Sequence, residues 1–572
     1  MCGIAGIVGD YKEHQLDAML ISQHHRGPDT TKKYNDDCFA TLGHNRLAII
    51  DLSSQSNQPF IDNSGRYILV FNGEIYNYIE IKEALKNQYK FKTESDTEVL
   101  LAAFTIYGEF CLEKFNGMFA FAIWDNQEKK LFAARDRFGV KPFYYSVLNN
   151  SLFFSSEIKA LHAAEIPKKP NEKVWASYFA FGSYGMPNET FWEDIMQLPG
   201  GHFLKYENEN LTIKKWYLFE EEVAKQPKII TFSQAKDHYT SLLKDSINLR
   251  FRSDVSVGFN ISGGLDSSIL LALVNLQENN SRINAYTFYT NNSDYDELPW
   301  VEKMITTTNN PLAEVLLQAD EIPVFTKKMA LQQDEPFGGI PTLAYAKIFE
   351  KARKDGVLVL LDGQGMDEQW AGYDYYTQKN DATIQGVENS PYKIKMLSDS
   401  FLSKAEKPIY PKIFDDEILN KQYRDLFYTK IPRALRFNDR VSMMYSTELR
   451  EPFLDHRLVE FAFSLPVEFK IKDGISKYIL REIASEFLSN NVAFAPKRPL
   501  QTPQREWLAD DLKEWVNGCL KTIENSCFSE WFVKAELERE FDSYFNGNIQ
   551  SSFHIWQCIS LCQIELSVPI SN

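Results

Sequence analysis

The pattern of apolar runs changes once along the chain, between residues 216 and 235. Before this segment, short apolar and aromatic runs such as 66–73 are separated by Gly, Asn and Asp, which is typical of strands joined by turns. After it, runs such as 256–261 alternate with helical patterns, which predicts a parallel sheet. Beyond about residue 400 the pattern is mostly helical. We therefore expect an α+β domain over 2–215, a linker over 216–235, and an α/β domain with a helical C-terminal part over 236–572.

Charge and composition exclude several classes of protein. The chain has 62 Lys and Arg against 78 Asp and Glu, a formal net charge of −16. It lacks the excess of cations that nucleic acids or anionic membranes require. No apolar run is long enough for a transmembrane helix, and residues 1–14 do not resemble a secretory signal. Seven cysteines without a CxxC pair favour a reducing compartment, so we expect a cytoplasmic protein.

Cys2 is a candidate nucleophile. If the initiator Met is removed, the thiol lies within reach of its own α-amino group, whose ordinary pKa of about 8 suits a general base. A thiolate that attacks a carboxamide would release ammonia. Taken alone, however, the segment CGIAGIVG is better explained as a buried first strand that begins with a small residue.

Other residues could supply the remaining needs of an amidase that acts on glutamine. Asn72 and Gly73 follow an apolar strand, so the Asn72 side chain and the Gly73 N–H are a candidate oxyanion hole. Arg46 could bind the substrate carboxylate as a bidentate pair. Glu74 and Asp96 could bind the substrate ammonium. Taken one at a time, each is more simply a turn or surface residue.

Taken together, these segments resemble a known family. The MCGI start, HHRGPD (24–29), GHNRLAIIDL (43–52) and FNGEIYN (71–77) are similar to the class II glutamine amidotransferase domain. That family has an N-terminal nucleophile hydrolase fold, in which antiparallel sheets stack between helices. The resemblance implies Cys2 as nucleophile, Asn72 and Gly73 as oxyanion hole, and Arg46, Asn72, Glu74 and Asp96 as glutamine ligands.

A second candidate site begins at NISGGLDSS (260–268), between a predicted strand and a predicted helix. Its glycines let the backbone approach a phosphate, and the helix N-terminus supplies donors. No GK[ST] follows, so this is not a Walker loop. Asp266 would repel phosphate unless Mg²⁺ lies between them, which makes it a candidate metal ligand. The candidate ATP and pyrophosphate ligands in this loop are Ile261, Ser262, Gly263, Gly264, Asp266, Ser267 and Ser268.

This loop resembles the pyrophosphate-binding loop of the adenylating ATP pyrophosphatases. With the N-terminal domain, the whole chain resembles the glutamine-hydrolysing asparagine synthetase family. Further matching segments are LLDGQGMDEQWAGY (360–373), the PFLD-containing segment (440–461) and SKYILRE (476–482).

The resemblance implies a reaction at two sites. Glutamine is hydrolysed at Cys2, and ammonia travels internally to an acyl-adenylate, β-aspartyl-AMP by default, from which it displaces AMP. The implied metal ligands are Asp266 and Asp367, with Glu368 as a further candidate. Lys477 would neutralise charge on the α-phosphate during adenylation. The expected cofactors and partners are ATP, Mg²⁺, L-glutamine and a carboxylate acceptor.

The turn at residues 362–368 departs from the usual family sequence S-G-E-G-x-D-E. Asp362 stands in place of Ser and Gln364 in place of Glu. The resemblance still implies that Asp362 and Gly363 contact ATP and that Gln364 is catalytic. In the family, the Glu lies near the acyl-adenylate, where it can steer an ammonium or accept a proton from ammonia. Because Gln is uncharged and a poor base, either another group takes this role or the acceptor carries no ammonium there.

The identity of the acceptor therefore stays open between two kinds of carboxylate. L-Aspartate is the default, but segments 332–347 and 496–508 resemble relatives thought to amidate uronic-acid sugars in surface-polysaccharide biosynthesis. Lys497, Arg498 and Arg505 could face such an acidic sugar, although a solvated loop explains them equally well. A regulatory protein without catalysis, a phosphoribosyl-type amidotransferase and a bare glutaminase are disfavoured, because the candidate residues of both sites are present. A homodimer is compatible with the sequence.

Overall fold

The computed structural model describes residues 1–36, 39–227, 231–276, 283–378, 390–495 and 502–567. In the N-terminal part, the apolar and aromatic runs form antiparallel strands. In chain order these are β1 (Gly3–Val8), β2 (Thr30–Asn35), β3 (Ala40–Arg46), β4 (Phe60–Ile61), β5 (Tyr67–Ile75), β6 (Gly117–Asp125), β7 (Lys130–Arg135), β8 (Tyr144–Leu148), β9 (Ser151–Ser155), β10 (Met196–Gln197), β11 (His202–Glu207) and β12 (Asn210–Lys215). They form two sheets, ordered β10-β8-β9-β1-β3-β2 and β12-β11-β7-β6-β5-β4.

The two sheets face each other across an apolar layer. Alternate residues of each strand point into it, among them Ile4 of β1 and Val70 of β5, both fully buried. The residues that alternate with them, such as Ala5 and Phe71, pack on helices outside the sheets. The predicted stack of antiparallel sheets between helices is therefore confirmed. The helices of this part are α1 (Glu13–Ser22), α2 (Tyr78–Leu85), α3 (Asp96–Tyr107), α4 (Cys111–Lys114), α5 (Ile158–Ala163) and α6 (Glu172–Phe181).

The segment predicted as a linker is more ordered than its polar composition indicates. It contains helix α7 (Phe219–Ala224) and the start of α8 (Phe232–Arg250). Phe219 and Val223, one helical turn apart, are both buried, and the Phe219 ring packs edge-on against Phe463 at 4.9 Å. The charged residues between them mask this i, i+4 pair in the sequence, which explains why it was missed.

The C-terminal part is built on the predicted parallel sheet. Its strands are β13 (Val257–Asn260), β14 (Ala285–Tyr289), β15 (Leu312–Leu316), β16 (Val359–Leu361) and β17 (Glu448–Arg450), in the order β15-β14-β13-β16-β17. The chain order reverses between β13 and β16, and such a switch point opens a crevice at the carboxyl ends of the strands. A short antiparallel pair, β18 (Ile471–Lys472) and β19 (Ile475–Ser476), lies apart from this sheet.

Helices cover both faces of the parallel sheet. Phe259 packs on one face in a cluster with Ile269, and Leu360 packs on the other in a cluster with Leu343. Among the residues described above, no helix is long and apolar enough to span a membrane. The helices that follow α8 are α9 (Leu265–Asn275), α10 (Leu298–Thr308), α11 (Ile322–Gln333), α12 (Ile340–Lys354), α13 (Met366–Gln369), α14 (Asp399–Leu402), α15 (Glu417–Phe427), α16 (Lys430–Met443), α17 (His456–Ser464), α18 (Val467–Lys470), α19 (Tyr478–Ala484), α20 (Asn490–Ala493), α21 (Gln504–Ala509), α22 (Lys513–Glu524), α23 (Lys534–Phe545) and α24 (Phe553–Ser567).

The two parts meet through buried polar contacts. Arg26 is fully buried and bridges Glu157 of its own part, at 2.9 Å, to Asp439 of the C-terminal part, at 2.8 Å. The Met1 ammonium donates to Glu448 of β17 at 2.8 Å. Burial of the Arg26 guanidinium or of the Met1 ammonium without its carboxylate partner would be strongly destabilising. The N-terminus is therefore held directly against the edge strand of the parallel sheet.

Candidate active sites

Cys2 lies immediately before β1 and is buried. Its backbone N–H donates to the Asn72 side-chain oxygen at 2.9 Å, and its Sγ lies 3.9 Å from the Leu47 carbonyl oxygen. In the chain with Met1 in place, burial raises the pKa of the Cys2 thiol. The hydrogen bond from Cys2 to Asn72 brings the candidate nucleophile and the candidate oxyanion hole together.

Asn72 and Gly73 lie within β5, paired with β6, and do not follow the strand as the sequence predicted. The Asn72 side chain is fully buried, and its Nδ2 donates to no described residue, so this donor is available to a ligand. Gly73 has φ +152°, and a Cβ there would overlap the Met118 carbonyl oxygen of the neighbouring strand. Glycine is therefore required where the backbone turns past the candidate site.

The candidate ammonium ligands are two buried acids. Asp96 begins α3 and accepts the Ile75 N–H at 2.9 Å. Burial raises the pKa of Asp96 to about 6, and burial together with the carboxylates of Glu448 and Asp96 raises the pKa of Glu74 well above its usual range. Burial and neighbouring carboxylates thus outweigh the Arg450 guanidinium, which lies 3.7 Å from Glu74, and a substrate ammonium would add a further cation.

Arg46 is held at the end of β3 by a turn. Its guanidinium donates to the backbone carbonyls of Asp51 and Ser53 and to the Asn57 side-chain oxygen. These contacts fix its position on the rim of the same site and compensate none of its charge with a carboxylate. The predicted role of Arg46 as the partner of a substrate carboxylate remains a prediction.

Sequence reasoning missed the contribution of β17 to this site. Arg450 is fully buried, with its Nε 2.5 Å from Glu448 and one terminal nitrogen 3.7 Å from Glu74. The PFLD-containing segment signalled an arginine here, but nothing local showed that it reaches Glu74. One strand of the C-terminal part therefore touches a candidate glutamine ligand.

The loop after β13 forms the predicted strand–turn–helix. Gly263 has φ +68°, which permits the turn, and Gly264 caps α9. The Ser267 hydroxyl donates to the Gly264 carbonyl at 3.1 Å and lies 3.2 Å from the Ser262 hydroxyl. The Ser268 hydroxyl is buried and bonds to no described residue. The loop, which begins at Ile261, is thus pre-shaped around the start of the helix.

Lys477 brings together the two predicted metal ligands. Its Nζ lies 2.6 Å from Asp266 and 2.7 Å from Asp367, and these carboxylates raise its pKa to about 12 against the effect of burial. Gly372 is required beside them, since a Cβ there would overlap Asp367. The carboxylate of the neighbouring Glu368 accepts the Tyr373 hydroxyl at 2.8 Å, and burial together with the Asp367 carboxylate raises its pKa to about 7.

The donor set fits Mg²⁺ that is shared with a substrate. Asp266 and Asp367 offer carboxylate oxygens to one point, and Mg²⁺ is commonly bound by one or two carboxylates plus phosphate oxygens. Across the described ranges, no three His, Cys, Asp or Glu side chains are grouped to hold a metal. The site is therefore suited to a magnesium ion that arrives with nucleotide phosphates.

A pocket that is partly open to solvent lies at the switch point between β13 and β16. Asn260, at the end of β13, lines it and is almost fully buried, yet neither side-chain polar atom bonds to a described residue. Asp362, after β16, also lines it, and burial raises its pKa to about 6. Its Oδ1 accepts the Gly363 N–H at 2.7 Å, and the Gln364 side chain lies beside it.

The predicted cationic loop is only partly placed. Lys497 and Arg498 lie outside the described residues. Arg505 donates to the Tyr295 hydroxyl at 3.0 Å, and Tyr295 lines the pocket. One of the three cations therefore lies at the pocket rim, one side chain away from the cavity.

Comparison with known proteins agrees with this two-site arrangement. Residues 1–217 match the model of a glutamine amidotransferase domain, and residues 238–568 match that of asparagine synthase. Glutamine-hydrolyzing asparagine synthetase 3 of Bacillus subtilis is 30% identical over 566 residues, which cover 91% of this chain and 90% of the relative. Asparagine synthetase 1 of the same organism is 28% identical over 591 residues, with coverage of 92% and 91%. The solved structure of B. subtilis glutamine phosphoribosylpyrophosphate amidotransferase complexed with ADP and GMP also aligns with part of this chain. The alignment covers 62% of that chain and 47% of this one, at 19% identity and a TM-score of 0.29.

Proposed function

Since the chain belongs to the asparagine synthase family of glutamine-hydrolysing carbon–nitrogen ligases, we propose that it releases ammonia from glutamine at Cys2 and amidates an adenylated carboxylate in the pocket beside Asp362. The observation that carries this proposal is that both centres are pre-shaped and meet the same edge strand, β17. Arg450 of β17 approaches Glu74 of the first site, and the backbone of Arg450 bonds to Asp362 of the second.

The first half of the reaction takes place at Cys2 after Met1 has been removed. The free α-amino group of Cys2 then accepts the thiol proton, and Sγ attacks the glutamine carboxamide carbon. The Asn72 Nδ2 and the Gly73 N–H donate to the oxyanion that forms. Glu74 and Asp96 bind the α-ammonium of glutamine, and Arg46 binds its carboxylate. The α-ammonium of Cys2 then returns the thiol proton to the leaving nitrogen, ammonia departs, and water later frees glutamate from the thioester.

The second half activates the acceptor. The loop from Ile261 to Ser268 holds the pyrophosphate end of ATP, while Asp362 and Gly363 contact the nucleotide. When bound, Mg²⁺ screens the phosphate charge, and Asp266 with Asp367 would hold it. Lys477 stabilises negative charge as the acceptor carboxylate attacks the α-phosphate and pyrophosphate leaves. Exclusion of water then protects the acyl-adenylate from hydrolysis.

L-Aspartate is the acceptor that the pocket supports best. Asp296, Glu297 and Asp362 all line the cavity, so an acceptor that carries an ammonium is favoured over one with several negative charges. The alternative is a uronic-acid sugar in surface-polysaccharide biosynthesis. It is favoured by Arg505 at the rim and by the uncharged Gln364. A cytoplasmic location and a homodimer stay predictions.

Pyrophosphate release by the Met-processed protein tests the proposal. The assay contains ATP, Mg²⁺ and glutamine, with either L-aspartate or UDP-glucuronate and UDP-galacturonate as acceptor. Release that depends on aspartate, with asparagine formed, supports the default acceptor. Release only with a uronate supports the alternative. Glutamine hydrolysis without acceptor-dependent release of pyrophosphate would overturn the assignment of a ligase.

A further inference from the structure

A buried methionine lies between the Cys2 site and the C-terminal part of the chain. Met1 is 1% exposed. Its ammonium donates to the Glu448 carboxylate of β17 at 2.8 Å, and its thioether contacts the Lys141 Nζ of the N-terminal part. The ammonium nitrogen and the thioether sulfur are four covalent bonds, or about 5 Å, apart. Met1 therefore stands between a carboxylate and a lysine that belong to different parts of the chain.

The Lys141 ammonium is poorly compensated in this arrangement. Lys141 is itself 1% exposed. Its Nζ meets the thioether, which is a weak acceptor, and the Leu449 carbonyl at 3.4 Å. Its ion pair with Asp439 is long, at 4.0 Å, and Asp439 also binds Arg26 at 2.8 Å. A buried cation in this position would be stabilised by a closer carboxylate.

Glu448 can become that carboxylate without movement of the backbone. Leu449, whose carbonyl lies 3.4 Å from the Lys141 Nζ, directly follows Glu448 in β17. The Lys141 backbone is fixed, because its N–H donates to Asp136 at 3.0 Å and its carbonyl accepts the Arg135 Nε. Only the lysine side chain has to turn, into the space that the methionine occupies.

Removal of Met1 takes a cation away from the candidate glutamine site. With Met1 in place, the carboxylates of Glu448 and Glu74 face two cations, the Met1 ammonium and Arg450. The Arg450 guanidinium lies 2.5 Å from Glu448 and 3.7 Å from Glu74. After processing, the amine of Cys2 must be neutral to act as a base, so it does not replace the lost charge. Two buried carboxylates beside one cation would take up a proton, and a protonated Glu74 would bind a substrate ammonium less strongly.

We propose that, in the processed protein, the Lys141 ammonium turns into the space left by Met1 and pairs with Glu448. This pair returns the second cation to the site, so Glu74 stays ionised and binds the α-ammonium of glutamine. Lys141 acts through Glu448 and Arg450 and is therefore a positioning residue. The inference rests on the proposed glutaminase reaction and adds a residue to it.

Lys141→Met tests the proposal, because it removes the charge and keeps the length of the side chain. In the Met-processed variant, the KM for glutamine should rise at least fivefold, while kcat stays within threefold, since bound glutamine still meets Cys2 and the oxyanion hole. Lys141→Arg keeps the charge, and its KM should stay within threefold of wild type. Lys470→Met is the matched control with an unchanged KM, since Lys470 is also fully buried but bonds to Gln422 at 3.2 Å.

Ammonia-dependent amide formation reports on the fold of each variant. It is measured with ATP, Mg²⁺, ammonium chloride and whichever acceptor supports pyrophosphate release by the wild type, and it should stay within threefold in Lys141→Met. A rise in the KM for glutamine of less than fivefold would overturn the proposal. Equal losses of kcat and of ammonia-dependent synthesis in Lys141→Met and Lys141→Arg would also overturn it, since Lys141 would then serve only the fold.

A crystal structure of the processed wild type tests the exchange directly, even if Lys141→Met does not fold. The Lys141 Nζ should lie within about 3.5 Å of a Glu448 oxygen, and a separation above about 5 Å would refute the exchange. Failure of the proposed function shows separately, as a processed wild type that hydrolyses no glutamine.

Discussion

Replacement of Lys477 by Met removes the cation that separates two partly exposed carboxylates. The Asp266 and Asp367 oxygens lie 2.6 and 2.7 Å from Nζ, so they are at most about 5.3 Å apart. Lys477 itself is only 5% exposed, and Met has a similar length without charge. The variant therefore keeps the packing of the side chain and leaves the two acids facing each other.

Coulomb's law gives the loss of stability expected for Lys477→Met. Two unit charges about 5 Å apart repel by about 3 kcal/mol at an effective dielectric constant near 20. Removal of one partner of a fully buried ion pair typically costs about 3–5 kcal/mol, and these two carboxylates are each 21% exposed, so a value at the low end of that range is expected. We expect the free energy of unfolding of Lys477→Met to fall by about 3 kcal/mol at pH 8. Lys412→Met is the control, because the Lys412–Glu417 pair is exposed and should contribute less than about 1 kcal/mol.

Magnesium gives the experiment its second arm. With Lys477 absent, the two carboxylates offer Mg²⁺ an open site. A free Mg²⁺ concentration ten times the Kd of that site would stabilise the folded state by about 1.4 kcal/mol. Addition of 10 mM MgCl₂ should therefore raise the Tm of Lys477→Met more than the Tm of the wild type or of Lys412→Met. Thermal unfolding in 0 and 10 mM MgCl₂ measures this difference. Equal stability of Lys477→Met and wild type, or no selective effect of Mg²⁺, would refute the reasoning.

Three further predictions concern other buried groups. Cys2→Ala should abolish glutamine-dependent amide formation and retain the ammonia-dependent reaction, and loss of both would contradict two separable sites. Gly73→Ala should lower glutaminase activity at least tenfold, since its Cβ meets the Met118 carbonyl, while ammonia-dependent synthesis persists. Burial raises the pKa of Glu460 to about 7, so the stability this group contributes below pH 4.5 is lost as pH rises through 7, by up to about 3 kcal/mol. Denaturation of Glu460→Gln from pH 5 to 8 should show a shallower decline than wild type, and parallel curves would exclude this role.

Much of the candidate glutaminase site was predictable because its motifs are contiguous. Cys2 directly precedes a buried strand, and Asn72 and Gly73 lie two to three residues before the end of another, so the apolar pattern that predicts the strands places these residues approximately. The turn at Gly263 was predictable for a similar reason, because glycine is the residue that adopts its positive φ readily. Lys477, in contrast, was identified only by family resemblance, since its ion pairs join segments more than a hundred residues apart.

Pairings that depend on strand register could not be read from the sequence. Arg450 stands in a motif that was matched by family resemblance, and nothing local indicates that its carbonyl accepts the Asp362 N–H. That bond exists only because β16 and β17 pair with Leu361 opposite Arg450. Register is set by the burial of the whole sheet, so a pattern of single residues does not report it. The unbonded Asn260 was missed for the same reason, since its exposure to the pocket depends on the reversal of strand order.

The three-residue strand β17 contacts both candidate centres. Glu448 and Arg450 lie toward the N-terminal site, and the Arg450 carbonyl accepts the N–H of Asp362, which lines the pocket. Separation of the two parts would leave several buried charges without their partners, including Arg26, which lies between Glu157 and Asp439. Each uncompensated buried charge would destabilise the fold by several kcal/mol. Wide opening of this interface during turnover is therefore disfavoured. A fixed interface would suit the proposed transfer of ammonia, because β17 contacts Glu74 at the first candidate site and Asp362 at the second.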